Sequence, residues 1–401
     1  MTAVQVLGLV GILLIIGFLA DYLFRKTSIP DILILISLGY VIGPVLHIVE
    51  PSELAPASQI IAILALVIIL FEGGLNLDFD KILPSAPRAI MLVLLGSGTS
   101  MAATAAFFYY LLHWELLSSL LLGAIVSGTS PSIVIPLISR ARVTGEVSTL
   151  LSVESALNGA LVIVISLVVL GIMTTDTADN ALSIAGQAIS IRFSLGIVLG
   201  AAAGIMWLWL LSLLEGEAYD DILTLAVVFL LYFIVESING SGVIFALVFG
   251  LILGNGVRMA RLLRIRRTVE TTEIMKKFHS QMSFFIKTFF FIYLGLIVTF
   301  DEPVLIILCF ALSLVLLFSR YLAVLISCLG NRTLLADSGL LTTMLPRGLS
   351  AAVLAQIVVA SNVPNASVYP NMIIAVILIT VIISAIGILI LARQAREEVP
   401  Q

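Results

Sequence analysis

Five ionisable side chains stand inside long apolar stretches of this chain of 401 residues. They are Glu72, Glu154, Lys287, Arg320 and Arg347. Placing such a group inside a bilayer costs roughly 2.5–3.5 kcal/mol, so intramembrane charges are usually paired or functional. We expect Glu154 to form a core ion pair with Arg320 or Arg347, and a purely structural role for that pair is the alternative.

Oxygen-bearing side chains surround Glu154 in the sequence. Asn158 lies four residues further on, so both side chains share one helix face, and Ser155 lies beside them. Thr129 and Ser130 precede a proline, where a broken helix would expose backbone carbonyls. Oxygens of this kind bind small hard cations, and helix C-terminal ends favour positive charge. The pattern predicts a cation site, although these hydroxyls could instead bond to the preceding helical turn.

Glu72 and Lys287 lie closer to the ends of their apolar stretches. Glu72 would line a cytoplasmic funnel that gives protons access to the site, or it would simply reach the interface. Lys287 is about two turns inside its stretch, so it could face the same funnel or extend its amine to the cytoplasmic surface.

Other kinds of chemistry find little support. The histidines His47, His113 and His279 lack metal-ligand spacing, so we expect no enzyme, no transition-metal site and no cofactor. The two cysteines, Cys309 and Cys328, share one apolar segment and read as buried thiols. With no basic patch, nucleic acid is not an expected partner.

The composition places the chain in a lipid bilayer. Hydrophobic residues make up 61% of it and charged residues 11%, and mean hydropathy is +1.21. Soluble domains carry about 25% charged residues, so water is not the main solvent here. The first apolar run, 4–23, lacks a basic leading region and reads as a retained span and not a signal peptide.

The apolar segments predict an all-α polytopic membrane protein, because a spanning helix needs about 20 apolar residues. We expect one membrane domain over 1–401 without a soluble regulatory domain. The thirteen predicted spans are 3–23, 30–47, 57–76, 88–112, 115–139, 147–174, 193–214, 222–237, 240–257, 279–299, 303–328, 337–360 and 369–392.

Basic residues predict the orientation of these spans. Sixteen of the twenty fall on one side: Arg25, Lys26, Lys81, Arg88, Arg140, Arg142, Arg258, Arg261, Arg264, Arg266, Arg267, Lys276, Lys277, Arg332, Arg393 and Arg396. By the positive-inside rule, the N-terminus is then outside the plasma (inner) membrane and the C-terminus is cytoplasmic. The segment 258–277 is either an amphipathic helix on the lipid surface or a solvated linker.

Two predicted spans carry a break at their middle. Span 5 contains Gly-Thr-Ser-Pro at 128–131, and span 12 contains Leu-Pro-Arg-Gly at 345–348. Because the two spans are seven apart, they run in opposite directions. This pattern predicts two inverted six-helix repeats, 1–174 and 222–392, joined by a linker helix at 193–214, with discontinuous helices 5 and 12 crossing.

Four motifs together resemble the monovalent cation:proton antiporters. They are Leu-Phe-Glu-Gly-Gly-Leu (70–75), Gly-Thr-Ser-Pro (128–131), Glu-Ser-Ala-Leu-Asn (154–158) and Pro-Arg-Gly-Leu (346–349). The likeness is greatest to the NhaP and sodium–proton exchanger branch, with Kef-like features. It implies a homodimer in which helices 4–6 and 11–13 form a moving core that exchanges Na⁺ or K⁺ for protons by alternating access.

The resemblance also implies that Thr129, Ser155 and the residue at position 159 surround the ion, and that Glu154 pairs with a core arginine. Together with the pattern of oxygens described above, it leads us to predict these cation-binding residues: Thr129, Ser130, Glu154, Ser155, Asn158 and Gly159. At the position of Gly159, however, the family usually has an aspartate that holds either a proton or the cation. The glycine is an engineered or selected change, or marks a natural relative that uses Glu72 or Glu154 instead, or indicates another solute or none. A transport-silent membrane sensor and a channel are therefore the competing hypotheses.

Overall fold

Every regular element in the part of the chain that the structure describes is helical. The structure is a computed structural model that describes residues 3–27, 29–49, 51–77, 79–139, 143–174, 181–213, 219–262, 273–300 and 302–397. Its α-helices are α1 (Ala3–Thr27), α2 (Asp31–Tyr40), α3 (Pro51–Asn76), α4 (Phe79–Leu112), α5 (Leu116–Ser127), α6 (Pro131–Ile138), α7 (Gly145–Met173), α8 (Ala181–Leu211), α9 (Asp220–Ser237), α10 (Gly242–Gly254), α11 (Gly256–Leu262), α12 (Glu273–Ile297), α13 (Pro303–Ser327), α14 (Arg332–Ala336), α15 (Ser338–Thr343), α16 (Leu349–Ala360) and α17 (Tyr369–Glu397).

Seven of the described helices are long and apolar enough to cross a membrane, counting the broken pair α5 and α6 as one. Four shorter apolar helical segments accompany them, at 31–45, 60–76, 242–254 and 349–360. The all-α polytopic architecture is therefore confirmed, whereas the number of thirteen spans stays a prediction. Residues 263–272 of the predicted surface helix, and Arg140 and Arg142, lie outside the described residues.

The first predicted break separates α5 from α6. Gly128 and Ser130 have extended backbones, with ψ angles of 141° and 113°. Pro131 explains this geometry, because a proline disfavours helical conformation in the residue before it. Pro131 is itself the first residue of α6, where its missing N–H costs nothing.

The second predicted break lies between α15 and α16. Residues 344–348 are non-helical, and Pro346 stands in their middle. The backbone amide of Arg347 donates instead to the Thr380 hydroxyl of α17, at 3.1 Å. A side chain from a neighbouring helix thus satisfies a backbone group that the break leaves without a helical partner.

The chain divides into two compact units, and each is assembled from separate segments. The first unit comprises Met1–Ala62, Ser85–Leu170 and Lys287–Gln401, and the second comprises Ile63–Pro84 and Gly171–Ile286. Neither unit is a continuous half of the chain, because segments of both predicted repeats contribute to each. The repeats at 1–174 and 222–392 therefore remain a prediction.

The same glycine contact occurs once in each unit. In the second unit, a Cβ on Gly74 would overlap the Leu247 carbonyl, and one on Gly250 would overlap the Phe71 carbonyl. Each of these carbonyls lies three residues before the partner glycine. In the first unit, Gly39 meets the Ile292 carbonyl and Gly295 meets the Ile36 carbonyl, with the same spacing of three. One contact joins α3 to α10 and the other joins α12 to α2, as an inverted repeat would require.

Candidate functional site: the crossing of two broken helices

The two breaks touch each other inside the first unit. The backbone amide of Ser130 donates to the carbonyl of Pro346 at 2.9 Å. Gly348 is needed at this contact, because a Cβ there would overlap the Ser130 hydroxyl. The crossing thus brings together the C-terminal end of α5 and the N-terminal ends of α6 and α16, where helix dipoles concentrate partial charge.

Arg347 neutralises one of these helix ends. Its side chain is 1% exposed, and its Nη1 donates to the carbonyl of Ser127, the last residue of α5, at 2.8 Å. A cation at a helix C-terminus is stabilised by the partial negative charge of the free carbonyls. Arg347 therefore bonds to a helix end, and the ion pair of Glu154 is made with the other candidate arginine.

Glu154 of α7 and Arg320 of α13 form a buried two-point ion pair. Nη1 lies 3.2 Å from Oε1 and Nη2 lies 3.2 Å from Oε2, and the two side chains are 0% and 3% exposed. A further hydrogen bond fixes the Arg320 side chain, because its Nε donates to the Leu341 carbonyl of α15 at 2.9 Å. Two parallel N–H···O bonds fix the orientation of the carboxylate as well as its charge.

One oxygen of this carboxylate forms a small triangle with the Thr129 hydroxyl and the Asn158 amide nitrogen. The Thr129 hydroxyl lies 3.1 Å from Glu154 Oε1, and Asn158 Nδ2 lies 3.2 Å from the same oxygen. The third side, from Asn158 Nδ2 to Thr129 Oγ1, is 3.3 Å. The spacing of four residues between Glu154 and Asn158, together with the break, does bring these predicted residues together.

Ser97 of α4 completes the arrangement, and sequence reasoning missed it. Its hydroxyl donates to Asn158 Oδ1 at 2.6 Å, and the two side chains are 3% and 1% exposed. The two residues are 61 positions apart. A lone serine in an apolar helix carries no local signal of such a partner.

The remaining predicted hydroxyls bond locally. Ser155 donates to the carbonyl of Ser152 at 3.3 Å, within its own helix. The Ser130 hydroxyl lies 3.0 Å from that of Ser132. Both are buried at or beside the crossing, but in this arrangement neither belongs to the triangle around Glu154.

Gly159 leaves space beside the two half-helices. A Cβ on it would be 3.9 Å from Pro131 Cδ and 3.9 Å from Ser350 Oγ, which are ordinary contact distances. Pro131 and Ser350 belong to the first turns of α6 and α16, so a carboxylate there would face two partially positive helix ends. The structure therefore has room for a Cβ at position 159.

The two predicted funnel residues belong to different units. Glu72 is half-buried on α3, in the second unit. Lys287 belongs to the first unit and pairs with Asp31 at 2.6 Å, where the side chains are 16% and 3% exposed. Asp31 is a further buried carboxylate that sequence reasoning missed, since an acidic residue at the start of a helix is ordinary. Within the described residues, no three histidine, cysteine or acidic side chains gather as a metal site would require.

Comparison with known protein families shows to which family the chain belongs. Residues 10–394 match the family described as sodium/hydrogen exchanger, transmembrane. The chain belongs to this family. The resemblance to monovalent cation:proton antiporters is thereby confirmed, and exchanger family membership makes the chain a multi-pass membrane protein of the ion-transport class.

Named relatives and solved structures agree with the exchanger assignment. The probable Na(+)/H(+) antiporter 2 of Methanocaldococcus jannaschii is 27% identical over 304 residues, which cover 74% of this chain and 70% of that protein. The K(+)/H(+) antiporter NhaP2 of Shewanella baltica is 27% identical over 403 residues, covering 98% and 67%. The structure of the sodium proton antiporter MjNhaP1 from Methanocaldococcus jannaschii at pH 8 has a TM-score of 0.80 at 23% identity, covering 96% of this chain and all of that one. This last match confirms the NhaP-like fold.

Proposed function

We propose that this exchanger-family chain moves a monovalent cation, Na⁺ or K⁺, against protons by alternating access. The observation that supports this most is the buried polar cluster beside the crossing of the two broken helices, in which Thr129 and Asn158 both donate to the Glu154 carboxylate. Transporters of this architecture place their ion sites at such crossings. Relatives named as Na(+)/H(+) and K(+)/H(+) antiporters support the same ion classes.

Glu154 takes the place of the missing helix aspartate in this proposal. Asp31 and Glu154 are the buried acidic side chains among the described residues, and each is paired with a basic side chain, Lys287 or Arg320. Of the two, Glu154 is the one that bonds to Thr129 at the break between α5 and α6. Antiport requires one carboxylate that cannot hold a proton and a cation together. Glu154 has that chemistry, and Arg320 remains as its fixed counter-ion while the proton and the cation alternate.

The net charge around the crossing sets the affinity that we expect the site to have for its cation. Glu154, Arg320 and Arg347 leave one net positive charge among buried groups, which weakens the binding of a cation. A carboxylate at position 159 would neutralise it and would also face the positive ends of α6 and α16. We infer that the parent chain binds its cation weakly and that position 159 controls this affinity.

The decisive experiment measures exchange in proteoliposomes under an imposed pH gradient, with Na⁺, K⁺ and Li⁺. We expect proton-coupled flux in the parent and a lower apparent KM in Gly159→Asp, by about tenfold for about 1.4 kcal/mol of added attraction. Gly159→Asn is the matched control, because it adds similar volume without charge.

Equal activity in the parent and Gly159→Asp would show that the missing carboxylate is irrelevant and the site assignment is wrong. Ion-dependent stabilisation without flux, or conductance without proton coupling, would contradict antiport itself.

We further propose that the chain resides in the inner membrane as a homodimer, with its N-terminus outside and its C-terminus in the cytoplasm. The distribution of basic residues supports this orientation, since sixteen of twenty fall on one predicted side. The bilayer and the transported ions are then its expected partners, and no bound cofactor is required for the exchange.

A further inference from the structure

Arg347 is a buried cation that has no counter-ion among the described residues. Its side chain is 1% exposed, and both oxygens of the Glu154 carboxylate are bonded to Arg320. The guanidinium of Arg347 donates to the Ser127 carbonyl through Nη1, whereas its Nε is buried and has no hydrogen-bond acceptor. A carbonyl supplies only partial negative charge, so most of the positive charge of Arg347 remains uncompensated.

The chain offers this arginine no free carboxylate in the part that the structure describes. Asp31, the other buried acidic side chain there, is bonded to Lys287. Arginine stays protonated in proteins, so Arg347 cannot become neutral by losing a proton. Buried charges are normally paired, because an unpaired ion in a low-dielectric interior loses its solvation. A bound anion is therefore the remaining source of negative charge.

Two helices begin at the crossing without a side-chain cap. Neither Ser130, which precedes α6, nor Gly348, which precedes α16, provides a side-chain hydrogen bond to the first backbone amides of its helix. The first amides of a helix have no partner within it and carry partial positive charge. Anions bind at such helix ends, and broken helices in transporters use them for negatively charged groups.

Gly159 lies between these two helix starts. In the described part of the chain, a Cβ on it would have only two atoms within 4 Å outside the backbone of α7. They are Cδ of Pro131 in α6 and Oγ of Ser350 in α16, both at 3.9 Å. The Ser350 hydroxyl bonds to none of the described residues, so it is free to donate to a ligand beside Gly159.

The Arg347 guanidinium reaches the same part of α7. Its acceptor, the Ser127 carbonyl, directly precedes Gly128, and a Cβ on Gly128 would overlap the side chain of Val162. Val162 lies one turn after Gly159 on α7. The polar groups around Gly159 are thus hydrogen-bond donors and a cation, which together favour a negatively charged ligand.

We propose that chloride binds beside Gly159, where Arg347, the Ser350 hydroxyl and the first amides of α6 and α16 surround it. One net positive charge is buried at the crossing, so a monovalent anion neutralises it, whereas a divalent anion would leave an excess of negative charge. The chloride ion supplies the negative charge that a carboxylate at position 159 would supply.

Bound chloride raises the affinity of the crossing for the transported cation, and in that respect the inference rests on the proposed function. Opposite charges attract each other strongly in the low-dielectric interior. Because binding free energies are coupled reciprocally, the cation raises the affinity for chloride by the same factor.

Direct anion binding tests this site without requiring transport. The purified chain is unfolded thermally at constant sodium concentration while chloride replaces gluconate, because a ligand that binds the folded state raises the Tm. We expect the Tm to rise with chloride and to reach a plateau, whereas sulfate at matched ionic strength should produce no saturable rise. A Tm that does not depend on chloride would overturn the proposal.

Substitutions at position 159 separate anion binding from a general effect of salt. Gly159→Asp places a fixed carboxylate beside the two helix starts, so we expect the chloride-dependent rise in Tm to disappear. Gly159→Asn fills a similar volume without charge and should abolish chloride binding as well. An equal rise in the parent and in Gly159→Asp would show that chloride acts elsewhere on the protein and would overturn the site.

Ser350→Ala, compared with Ser361→Ala, tests one donor to the anion. Both serines are half-buried and lie at opposite ends of α16, but the Ser361 hydroxyl bonds to the Ile357 carbonyl of its own helix at 2.9 Å. We expect Ser350→Ala to raise the half-maximal chloride concentration by about tenfold, because it removes a hydrogen bond to a charged ligand. Ser361→Ala should stay within about twofold of the parent. Equal effects of the two variants would overturn the placement of chloride beside Gly159.

Flux measurements connect the anion to exchange. In chloride-free gluconate medium, we expect the KM for the cation to be about tenfold higher in the parent than in Gly159→Asp. Chloride on both sides of the membrane should lower the KM of the parent toward that of Gly159→Asp, whose own KM should change by less than about twofold. Gly159→Asn should keep the high KM in both media.

The outcomes distinguish this inference from the proposed antiport. Saturable stabilisation by chloride that Gly159→Asp abolishes, found in a chain without proton-coupled flux, would leave the anion site standing and refute antiport. Proton-coupled flux with the same KM in chloride and gluconate, together with a Tm independent of chloride, would support antiport and refute the anion site. If Gly159→Asp does not fold, Ser350→Ala decides, and a chloride dependence equal to that of the parent would refute the inference.

Discussion

Glu154 and Arg320 are charged groups that the fold buries almost completely, so each depends on the other for solvation. Removing one partner of a buried pair leaves an unpaired charge, at a cost of about 3–5 kcal/mol. We expect Glu154→Gln to lower the free energy of unfolding by about this amount. Chemical unfolding of the purified chain, followed by tryptophan fluorescence, provides the measurement.

The double variant Glu154→Gln with Arg320→Gln is the informative comparison. It removes both charges, so it should recover a substantial part of the stability that Glu154→Gln alone loses, which is the sign of direct coupling. Strictly additive losses in the double variant would mean that the two side chains act independently, contrary to the two contacts of 3.2 Å.

Residue spacing predicts those parts of the site that are local in sequence. Glu154 and Asn158 share a helix face at a spacing of four, and they do meet. Sequence could not choose between Arg320 and Arg347, because that choice depends on which side chain faces α7 and which reaches the end of α5. Ser97 and Asp31 were missed because their partners are 61 and 256 positions away.

At the scale of elements, the close approach of α3 and α10 depends on glycines with no room for a side chain. A Cβ on Gly74 would overlap the backbone of Leu247, whereas the adjacent Gly73 has nothing within 4 Å of a Cβ. We expect Gly74→Ala to destabilise the chain by about 1–3 kcal/mol through overpacking. Gly73→Ala should be neutral or stabilising by up to about 1 kcal/mol, because alanine favours helix.

Thermal unfolding of the two alanine variants in the same detergent distinguishes the effects. The two positions lie in the same helix, so the effect of the detergent and the higher helix propensity of alanine are common to both variants and cancel in the comparison. A Tm for Gly74→Ala equal to that of Gly73→Ala would show that α3 and α10 can separate without cost.

The breaks were predictable at this scale because proline acts on its immediate neighbours. Both predicted interruptions exist, between α5 and α6 and between α15 and α16. The contact between them, from Ser130 to the Pro346 carbonyl, joins residues 216 positions apart and could be expected only from the inverted-repeat pattern. The boundary at Asp337 coincides with the predicted start of span 12, whereas the short helix α14 in the connection before it was not predicted.

For the whole molecule, the sequence-based repeats and the compact units describe different things. The repeats are continuous in sequence, whereas each unit combines segments from both. The two units are defined by which helices pack against one another. Hydropathy along the chain carries no information about which spans become neighbours. The matching glycine contacts of α3 with α10 and of α12 with α2 support the repeats independently of the proline breaks.

The orientation of the chain in the membrane is tested most directly at the two ends of one helix. Glu302 precedes α13 and Arg332 follows it, and both side chains are exposed. The positive-inside pattern places Glu302 outside and Arg332 in the cytoplasm.

We therefore expect a membrane-impermeant thiol reagent to label Glu302→Cys in intact cells and Arg332→Cys only after permeabilisation. The background carries Cys309→Ser and Cys328→Ser, since both native thiols are free and buried. Labelling in the reverse order would show that the N-terminus is cytoplasmic and would overturn the orientation that the basic residues predict.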